Sequence, residues 1–312
     1  MHKGMFELDL HLGVHKTATT FLQAALYSNK RILTESGICV PHHRQTRKHL
    51  TNPCQRRVDE LRESSKLGER FAPGLERRVS DFFDELRNDS VSKILLTDEN
   101  FVGHCGHVVH SGKLYSRREV FLRMLKDLLP ESPRHIYLSF RQYDQFFSSV
   151  YFQYLLDVTP RRFVPPETFA QRVLERRPSW THFIACIRNT FSDSQIVVWS
   201  YEGAQKDWHL VLDAMLGSKV SSKLDLRIGD GDPHIRRSMS GKAFHTFLQK
   251  YQRDGAQNAL SCLGEIRARF DGDQSLGKAT IFSADEVMHL ERLYGRHLNE
   301  LRHKLKDVRR LC

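Results

Sequence analysis

The sequence lacks the long apolar runs and the paired cysteines that mark several classes of protein. No window holds 18 consecutive apolar residues, so no transmembrane helix is expected. The amino terminus has no apolar segment of the kind found in secretory signals. The six cysteines are scattered and form no C-x-x-C pair, which predicts free thiols in a reducing compartment. These absences together predict a cytoplasmic protein.

The sequence also lacks any run of five or more like charges, although Lys and Arg outnumber Asp and Glu by 48 to 37. The resulting net charge of +11 fits an anionic partner, which can be nucleic acid, an anionic membrane surface, or an anionic cofactor and substrate. The densest basic stretch covers 42–57. It is compatible with a solvated loop and equally with a rim that steers a polyanion toward a site.

Short apolar segments alternate with amphipathic ones along most of the chain. Strands are predicted at 6–12, 37–41, 93–97, 135–140 and 195–200. Helices are predicted at 19–28, 75–86, 118–129, 143–156, 169–176, 180–190, 208–216, 241–251 and 284–305. This alternation predicts an α/β fold, with one domain over 1–312 and a central parallel sheet flanked by helices. Within it we expect a basic insertion at about 42–75, loops at 103–113 and 218–240, and a helical part from about 241.

The first candidate site is the stretch GVHKTATT (13–20), which joins the first predicted strand to the first predicted helix. Free N–H groups and the positive end of the helix dipole favour an anion there, and Lys16 adds a full charge. The stretch is not a Walker A motif, because that motif needs four residues between its glycines and a lysine directly after the second. Lys16 follows Gly13 by only three positions, which disfavours an ATPase or kinase of the usual kind.

Two further candidate sites follow predicted strands. Arg141 comes directly after the strand at 135–140, and Ser149 lies eight residues on, almost two turns along the next helix. The pair can hold one phosphate from two sides. Glu99 follows the strand at 93–97, at the end where ligands bind in open α/β sheets, and it can accept a proton from a hydroxyl. Each of these residues, taken alone, is also compatible with a structural salt bridge or cap.

Together these stretches resemble the sulfotransferase family. HLGVHKTATTFLQ (11–23) resembles the 5′-phosphosulfate-binding loop, whose usual form is close to K-[ST]-G-T-[ST], and Arg141 with Ser149 matches the 3′-phosphate motif including its spacing. WSYEG (199–203) is similar to the family's strand-then-YE element, whose tyrosine, here Tyr201, lies near the adenine. RRSMS (236–240) is similar to a late element of bacterial members, which implies that Arg237 reaches the 3′-phosphate. The matched order spans about 6–250.

One position departs from the family pattern. The family loop usually has glycine where this chain has Ala18. Because alanine suits the first turn of a helix and is unfavourable only at positive φ, we expect it to be tolerated.

The resemblance implies a P-loop-like sulfotransferase fold and transfer of a sulfuryl group from PAPS to a hydroxyl or amine, which releases PAP and needs no metal. The implied donor-binding residues are His15, Lys16, Thr17, Ala18, Thr19, Thr20, Arg141, Ser149, Tyr201 and Arg237. The implied catalytic residues are Lys16, which stabilises the leaving oxygen, and Glu99, which acts as the base. His15 is the alternative base.

The sequence leaves other functions open. One is a nucleotide-dependent kinase with a degenerate P-loop, and another is a non-catalytic basic module that binds nucleic acid or an anionic glycan. Nucleic acid is not expected as a partner, because no basic residue is interleaved with the aromatic side chains between 146 and 156. The expected acceptor is a small molecule or a glycan, which includes glycolipids, and a peripheral membrane contact is compatible with the sequence. Oligomeric state is left open.

A dense group of metal-ligand residue types lies in the predicted loop at 103–113. It consists of His104, Cys105, His107 and His110. Because its spacing matches no familiar structural zinc site, no metal is expected. The family resemblance instead places this loop over the acceptor pocket.

Overall fold

The computed structural model describes residues 6–63, 73–227, 238–305 and 307–312. Its described part contains one open six-stranded sheet in the order β2-β3-β1-β4-β5-β6, and every neighbouring pair is parallel. The strands are β1 (Glu7–Leu12), β2 (Ile38–Cys39), β3 (Lys93–Asp98), β4 (His135–Phe140), β5 (Gln195–Ser200) and β6 (Arg309–Arg310). The predicted α/β class with a central parallel sheet is therefore confirmed.

Helices connect the strands. Those before the third strand are α1 (Thr19–Ser28), α2 (Lys30–Glu35), α3 (His43–Thr46), α4 (Asn52–Glu63) and α5 (Pro73–Leu86). Those between β3 and β5 are α6 (Cys105–Ser111), α7 (Arg118–Leu128), α8 (Tyr143–Tyr154), α9 (Pro166–Arg176) and α10 (Trp180–Thr190). The remaining helices are α11 (Tyr201–Ala204), α12 (Trp208–Leu216), α13 (Ser218–Ser221), α14 (Gly241–Ser261), α15 (Leu263–Phe270) and α16 (Ala284–Lys304). A π-helical turn, Arg47–Thr51, joins α3 to α4.

Both faces of the sheet are covered, because successive side chains of a strand point to opposite faces. In β4, Ile136 and Leu138 join a large core, while Tyr137 joins a smaller one on the other face. The larger core contains the aromatic side chains of α8, which are buried as core residues. The smaller core packs α1 and α12 against the sheet.

The structure departs from the sequence-based expectations in three places. The expected loop at 103–113 contains α6, whose Val108 and Val109 are fully buried and which ends at Gly112 in the left-handed conformation. The expected loop at 218–240 begins with the short helix α13, and 228–237 lie outside the described residues. A sixth strand, Arg309–Arg310, pairs with β5 although two basic residues carry no apolar strand pattern.

The basic insertion is helical over 43–63, through α3, the π-helical turn and α4, and its last described residues, 73–75, begin α5. All six cysteines are free thiols. Within the described ranges, no helix combines the length and the apolar character needed to cross a membrane.

Candidate functional site

A cleft of about 1270 Å³ runs along the carboxyl edge of the sheet. Its lining includes residues that follow five of the strands: Tyr201 after β5, Arg141 after β4, Lys16 after β1, Glu99 after β3 and His43 after β2. Because parallel strands lie about 4.8 Å apart, the strand order also sets the order of these residues across the cleft. Segments far apart in the sequence therefore meet along one edge.

The loop after β1 lies on the floor of the cleft and leads into α1. Its lining residues are His15, Lys16, Ala18, Thr19 and Thr20. Thr17 is directed elsewhere, because its buried hydroxyl donates to the carbonyl of Val14 at 2.7 Å and contacts the hydroxyl of Ser139. The first turn of α1 has no side-chain cap, and the first N–H groups of a helix have no partner within the helix. This end of the cleft therefore favours an anion.

Ala18 adopts the conformation that we expected it to avoid. Its φ is 62° and its ψ is 26°, so it precedes α1 in the left-handed region rather than lying in the first helical turn. The expectation from the sequence is wrong on this point, because the turn into α1 requires positive φ at both Lys16 and Ala18. An alanine there carries backbone strain that a glycine would not.

Arg141 connects the loop after β1 with the segment after β5. Its Nη1 donates to the carbonyl of Lys16 at 2.8 Å, and its guanidinium lies over the ring of Tyr201, 4.5 Å from the ring centroid. Within the described residues, its buried Nε has no hydrogen-bond acceptor. Burial lowers the pKa of Arg141, and Tyr201 opposes that shift. A partly desolvated cation beside a cleft gains from binding an anion.

Ser149 and Tyr201 line the same cleft as Arg141. The helix α8 begins at Tyr143, as expected, and so Ser149 lies almost two turns along it. Tyr201 opens α11, and its hydroxyl accepts a hydrogen bond from Gln205 at 2.8 Å. The structure thus brings both residues to the cleft that Arg141 lines, with Tyr201 in direct contact with its guanidinium.

Arg237, the remaining expected donor contact, lies outside the described residues. Its neighbour Ser238 is described and lines the cleft.

Glu99 lies at the carboxyl end of β3, where Arg47 from the π-helical turn holds it. Arg47 pairs with Glu99 Oε1 at 3.0 Å and with the buried carboxylate of Asp98 at 2.9 Å. Burial alone raises the pKa of Glu99, but the neighbouring His15 and Arg47 lower it below its ordinary value overall. Its other oxygen, Oε2, has no hydrogen-bond partner among the described residues. The site therefore holds an ionised carboxylate, with Oε1 paired to Arg47 and Oε2 buried without a partner among the described residues.

His15 is held as a neutral ring between two side chains. Its Nε2 lies 3.1 Å from Asn100 Oδ1, which only accepts, so Nε2 carries the proton. Its Nδ1 therefore accepts from the Tyr115 hydroxyl at 2.9 Å, and the same hydroxyl accepts from the backbone N–H of His15. Burial lowers the pKa of His15 to about 4. Since both ring nitrogens are engaged, this arrangement favours Glu99 over His15 as the proton acceptor.

Reasoning from the sequence did not assign a role to Arg47, Asn100 or Tyr115. Arg47 was included only in the basic stretch at 42–57, where charge density gives no information about its partners. The acidic pair Asp98 and Glu99 after a buried strand was the available signal, because two adjacent carboxylates at such a position require a cation. No comparable signal in the sequence points to Tyr115.

The histidines of the expected loop at 103–113 lie in the wall of the cleft, on and next to α6. His104, His107 and His110 all line it. Over the residues that the structure describes, no three His, Cys, Asp or Glu side chains are grouped so as to hold a metal ion.

Comparisons with known proteins do not assign a family or a function to this chain. A scan against protein-family models gives no match, and searches of curated proteins and of solved structures give none either.

Proposed function

We propose that this chain is a sulfotransferase that moves a sulfuryl group from PAPS to an acceptor hydroxyl or amine, with a glycan or glycolipid as the acceptor. The main observation that supports the proposal is the position of Arg141. It contacts the loop after β1 through the carbonyl of Lys16 at 2.8 Å and stacks on Tyr201 after β5 at 4.5 Å. Three of the four segments that resemble the family's donor motifs are thus in contact or line one cleft.

The chemistry of the cleft fits a polyanionic nucleotide. Lys16 and Arg141 line it together with the uncapped start of α1, and the buried Nε of Arg141 has no acceptor among the described residues. Cations and N–H groups of this kind bind phosphate groups. In the proposed complex, Arg141 and Ser149 hold the 3′-phosphate, and the ring of Tyr201 lies against the adenine.

The proposed reaction is an in-line displacement at sulfur. PAPS supplies the sulfuryl group, and its bond from sulfur to the 5′-phosphate oxygen breaks as the acceptor oxygen bonds to sulfur. Lys16 stabilises the charge that develops on the departing oxygen. Glu99, which lines the cleft and is held by Arg47 through Oε1, accepts the acceptor's proton. Its lowered pKa keeps Glu99 ionised at neutral pH before the reaction.

The test is a calorimetric titration of PAP, with ADP as the comparison ligand because it lacks the 3′-phosphate. We expect micromolar binding of PAP and binding of ADP at least about tenfold weaker, the contribution of one charge-assisted hydrogen bond or more. Arg141→Ala should remove this preference. Arg123→Ala is the matched control, because Arg123 lies on the exposed face of α7.

Two outcomes would contradict the proposal. Equal affinity for PAP and ADP favours a nucleotide-dependent kinase, since the 3′-phosphate would then make no contribution. Failure of both ligands to bind favours a non-catalytic basic module. Thermal unfolding of Arg141→Ala, followed by circular dichroism, separates a lost contact from a lost fold.

A further inference from the structure

The cleft extends well beyond the residues proposed to hold the donor. At about 1270 Å³ it exceeds the roughly 300–1000 Å³ of ordinary small-molecule pockets. The helix α8 spans about 16 Å from Tyr143 near Arg141 to Tyr154 at its far end. The cleft reaches this far end, where its lining includes His110, Tyr154 and Arg162. The acceptor therefore has a long surface available to it.

Positive charge collects at the far end of the cleft. The hydroxyl of Tyr154 donates to the carbonyl of Arg162, and the Nη1 of Arg172 donates to the carbonyl of His110 at 3.3 Å. The rings of His110 and Tyr154 meet edge to face, with centroids 5.6 Å apart. The Arg172 guanidinium donates to a backbone carbonyl and the Tyr154 contact leaves the Arg162 guanidinium free of a hydrogen bond within the described residues, so neither contact neutralises an arginine. The pKa of His110 is lowered by burial and then by both arginines, as expected in a positive field.

Arg162 and Arg172 have no carboxylate partner among the described residues, unlike Arg47 of the same cleft. Arg47 pairs with Asp98 and Glu99, and Arg117 pairs with Asp59. Among the residues that the structure describes, no carboxylate lies within ion-pair distance of Arg162 or Arg172. Asp157 also lines this part of the cleft but does not pair with either. The charge of Arg162 thus remains available to a ligand in the cleft, and Arg172 adds positive charge beside it, since both arginines act on His110.

We propose that Arg162 and Arg172 form an anion subsite for the acceptor, and that the acceptor is a glycan chain bearing carboxylate or sulfate groups. This inference rests on the proposed function, because it assigns the part of the cleft beyond the donor. The reactive hydroxyl lies at Glu99, and an acidic group of the same chain lies against Arg162. Guanidinium groups bind both carboxylate and sulfate through paired N–H donors.

The part of the cleft near Glu99 suits sugar rings. Tyr27 and His42 lie with ring centroids 4.5 Å apart, and His42 and His43 with centroids 4.3 Å apart. All three residues line the cleft near Glu99. Burial lowers the pKa of both histidines, that of His43 to about 4, so these ring faces are uncharged at neutral pH. Uncharged flat faces beside a carboxylate can pack against a sugar while its hydroxyl reaches Glu99.

The test compares three hexasaccharides in calorimetric titrations of the full chain saturated with PAP. They are galacturonate hexamer, sulfated maltohexaose and unmodified maltohexaose. We expect each acidic chain to bind at least about tenfold more tightly than the neutral one. The stronger of the two acidic ligands identifies whether the natural group is a carboxylate or a sulfate.

Arg162→Gln is expected to weaken binding of the acidic chains about tenfold, the loss of one charge-assisted contact. Arg161→Gln is the matched control, since Arg161 is the preceding residue of the same exposed turn and does not line the cleft. It should change affinity by less than about twofold. No side-chain contact of Arg162 holds the fold in the described residues, so Arg162→Gln should fold normally.

Equal binding of neutral and acidic chains would overturn the inference. So would an equal loss in the two variants, because that result indicates a general effect of net charge. Failure of the proposed function is distinguishable, since it appears as equal or absent binding of PAP and ADP. In that case the same sugar titrations without PAP still test the subsite.

Discussion

At the scale of single residues, the loop after β1 contains two residues whose backbone conformation is unfavourable for any residue with a Cβ. Lys16 and Ala18 both have positive φ, of 66° and 62°. For residues other than glycine, this conformation costs about 1–2 kcal/mol. The strain lies where the proposed donor site begins, and strained backbone of this kind is concentrated at functional sites.

We therefore expect Ala18→Gly to stabilise the protein by up to about 1 kcal/mol, because glycine adopts positive φ without strain. Ala185→Gly is the control, since Ala185 lies inside α10, where glycine costs about 1 kcal/mol. Urea unfolding at neutral pH measures both changes. If Ala18→Gly destabilised the protein as much as Ala185→Gly does, the prediction that the backbone at Ala18 is strained would be wrong.

His11 is a second residue with a measurable consequence. It is fully buried in β1, its Nδ1 lies 2.9 Å from the Thr97 hydroxyl, and its ring stacks on Trp199. Burial lowers its pKa from 6.5 to about 4, against an opposing effect of Glu99. The native state therefore binds fewer protons than the unfolded state between these values. The stability due to neutral His11 is present above pH 6.5 and is lost as pH falls toward about 4.

We expect His11→Gln to reduce the dependence of unfolding free energy on pH by about 1 kcal/mol per pH unit within that window. Urea unfolding at a series of pH values measures this slope. His289→Gln, at an exposed position of α16, should keep the slope of the wild type. Identical slopes for wild type and His11→Gln would contradict the prediction.

At the scale of elements, the turn from β1 to α1 depends on Gly13. A Cβ at this position would lie 2.6 Å from Thr19 Cγ2 and 3.3 Å from the backbone nitrogen of Glu99. The turn therefore packs directly against the start of α1 and the end of β3. A larger residue must move one of these two segments, and both line the cleft.

Gly13→Ala should destabilise the protein by about 1–3 kcal/mol, as other overpacking changes do, and should weaken binding of PAP. Gly295→Ala is the matched control, because Gly295 lies inside α16 with open space around its Cβ position. It should stabilise by about 0.5–1 kcal/mol. Thermal unfolding measures the stability of the two variants, and calorimetry measures their binding of PAP. Equal effects of the two substitutions would exclude a steric requirement for glycine at position 13.

Most elements were predictable because they carry strong local patterns. The helix Thr19–Ser28 and the strand His135–Phe140 were predicted with the bounds that the structure has. The helix α6 was not, because glycine and histidine gave its segment the composition of a loop, and burial of Val108 and Val109 stabilises it instead. The strand β6 was not predicted either, since its pairing with β5 joins segments that are distant in the sequence.

At the scale of the whole molecule, the proposed donor site joins loops that follow β1, β4 and β5. A ligand bound there contacts only the folded sheet, so it stabilises the native state by mass action. PAP at about one hundred times its Kd should contribute about 2.7 kcal/mol and raise Tm by several degrees.

ADP at the same concentration should raise Tm less than PAP does, and PAP should raise the Tm of Arg141→Ala no more than ADP does. Thermal unfolding followed by circular dichroism measures these shifts. A PAP shift of the wild-type size in Arg141→Ala would place the nucleotide elsewhere on the molecule.

The sequence by itself determined the fold class and most strands and helices, and it singled out the loop after β1, Glu99 and Arg141 as candidates. These conclusions depend on periodicity and on the residue types directly after each strand, which are local properties. Tyr201 was implied only by the resemblance to sulfotransferases. The tertiary structure decided the positive φ of Ala18, the inward direction of the Thr17 hydroxyl and the pairing of Arg47 with Asp98 and Glu99. These depend on contacts between distant segments, which pack in one way only once the whole sheet has formed.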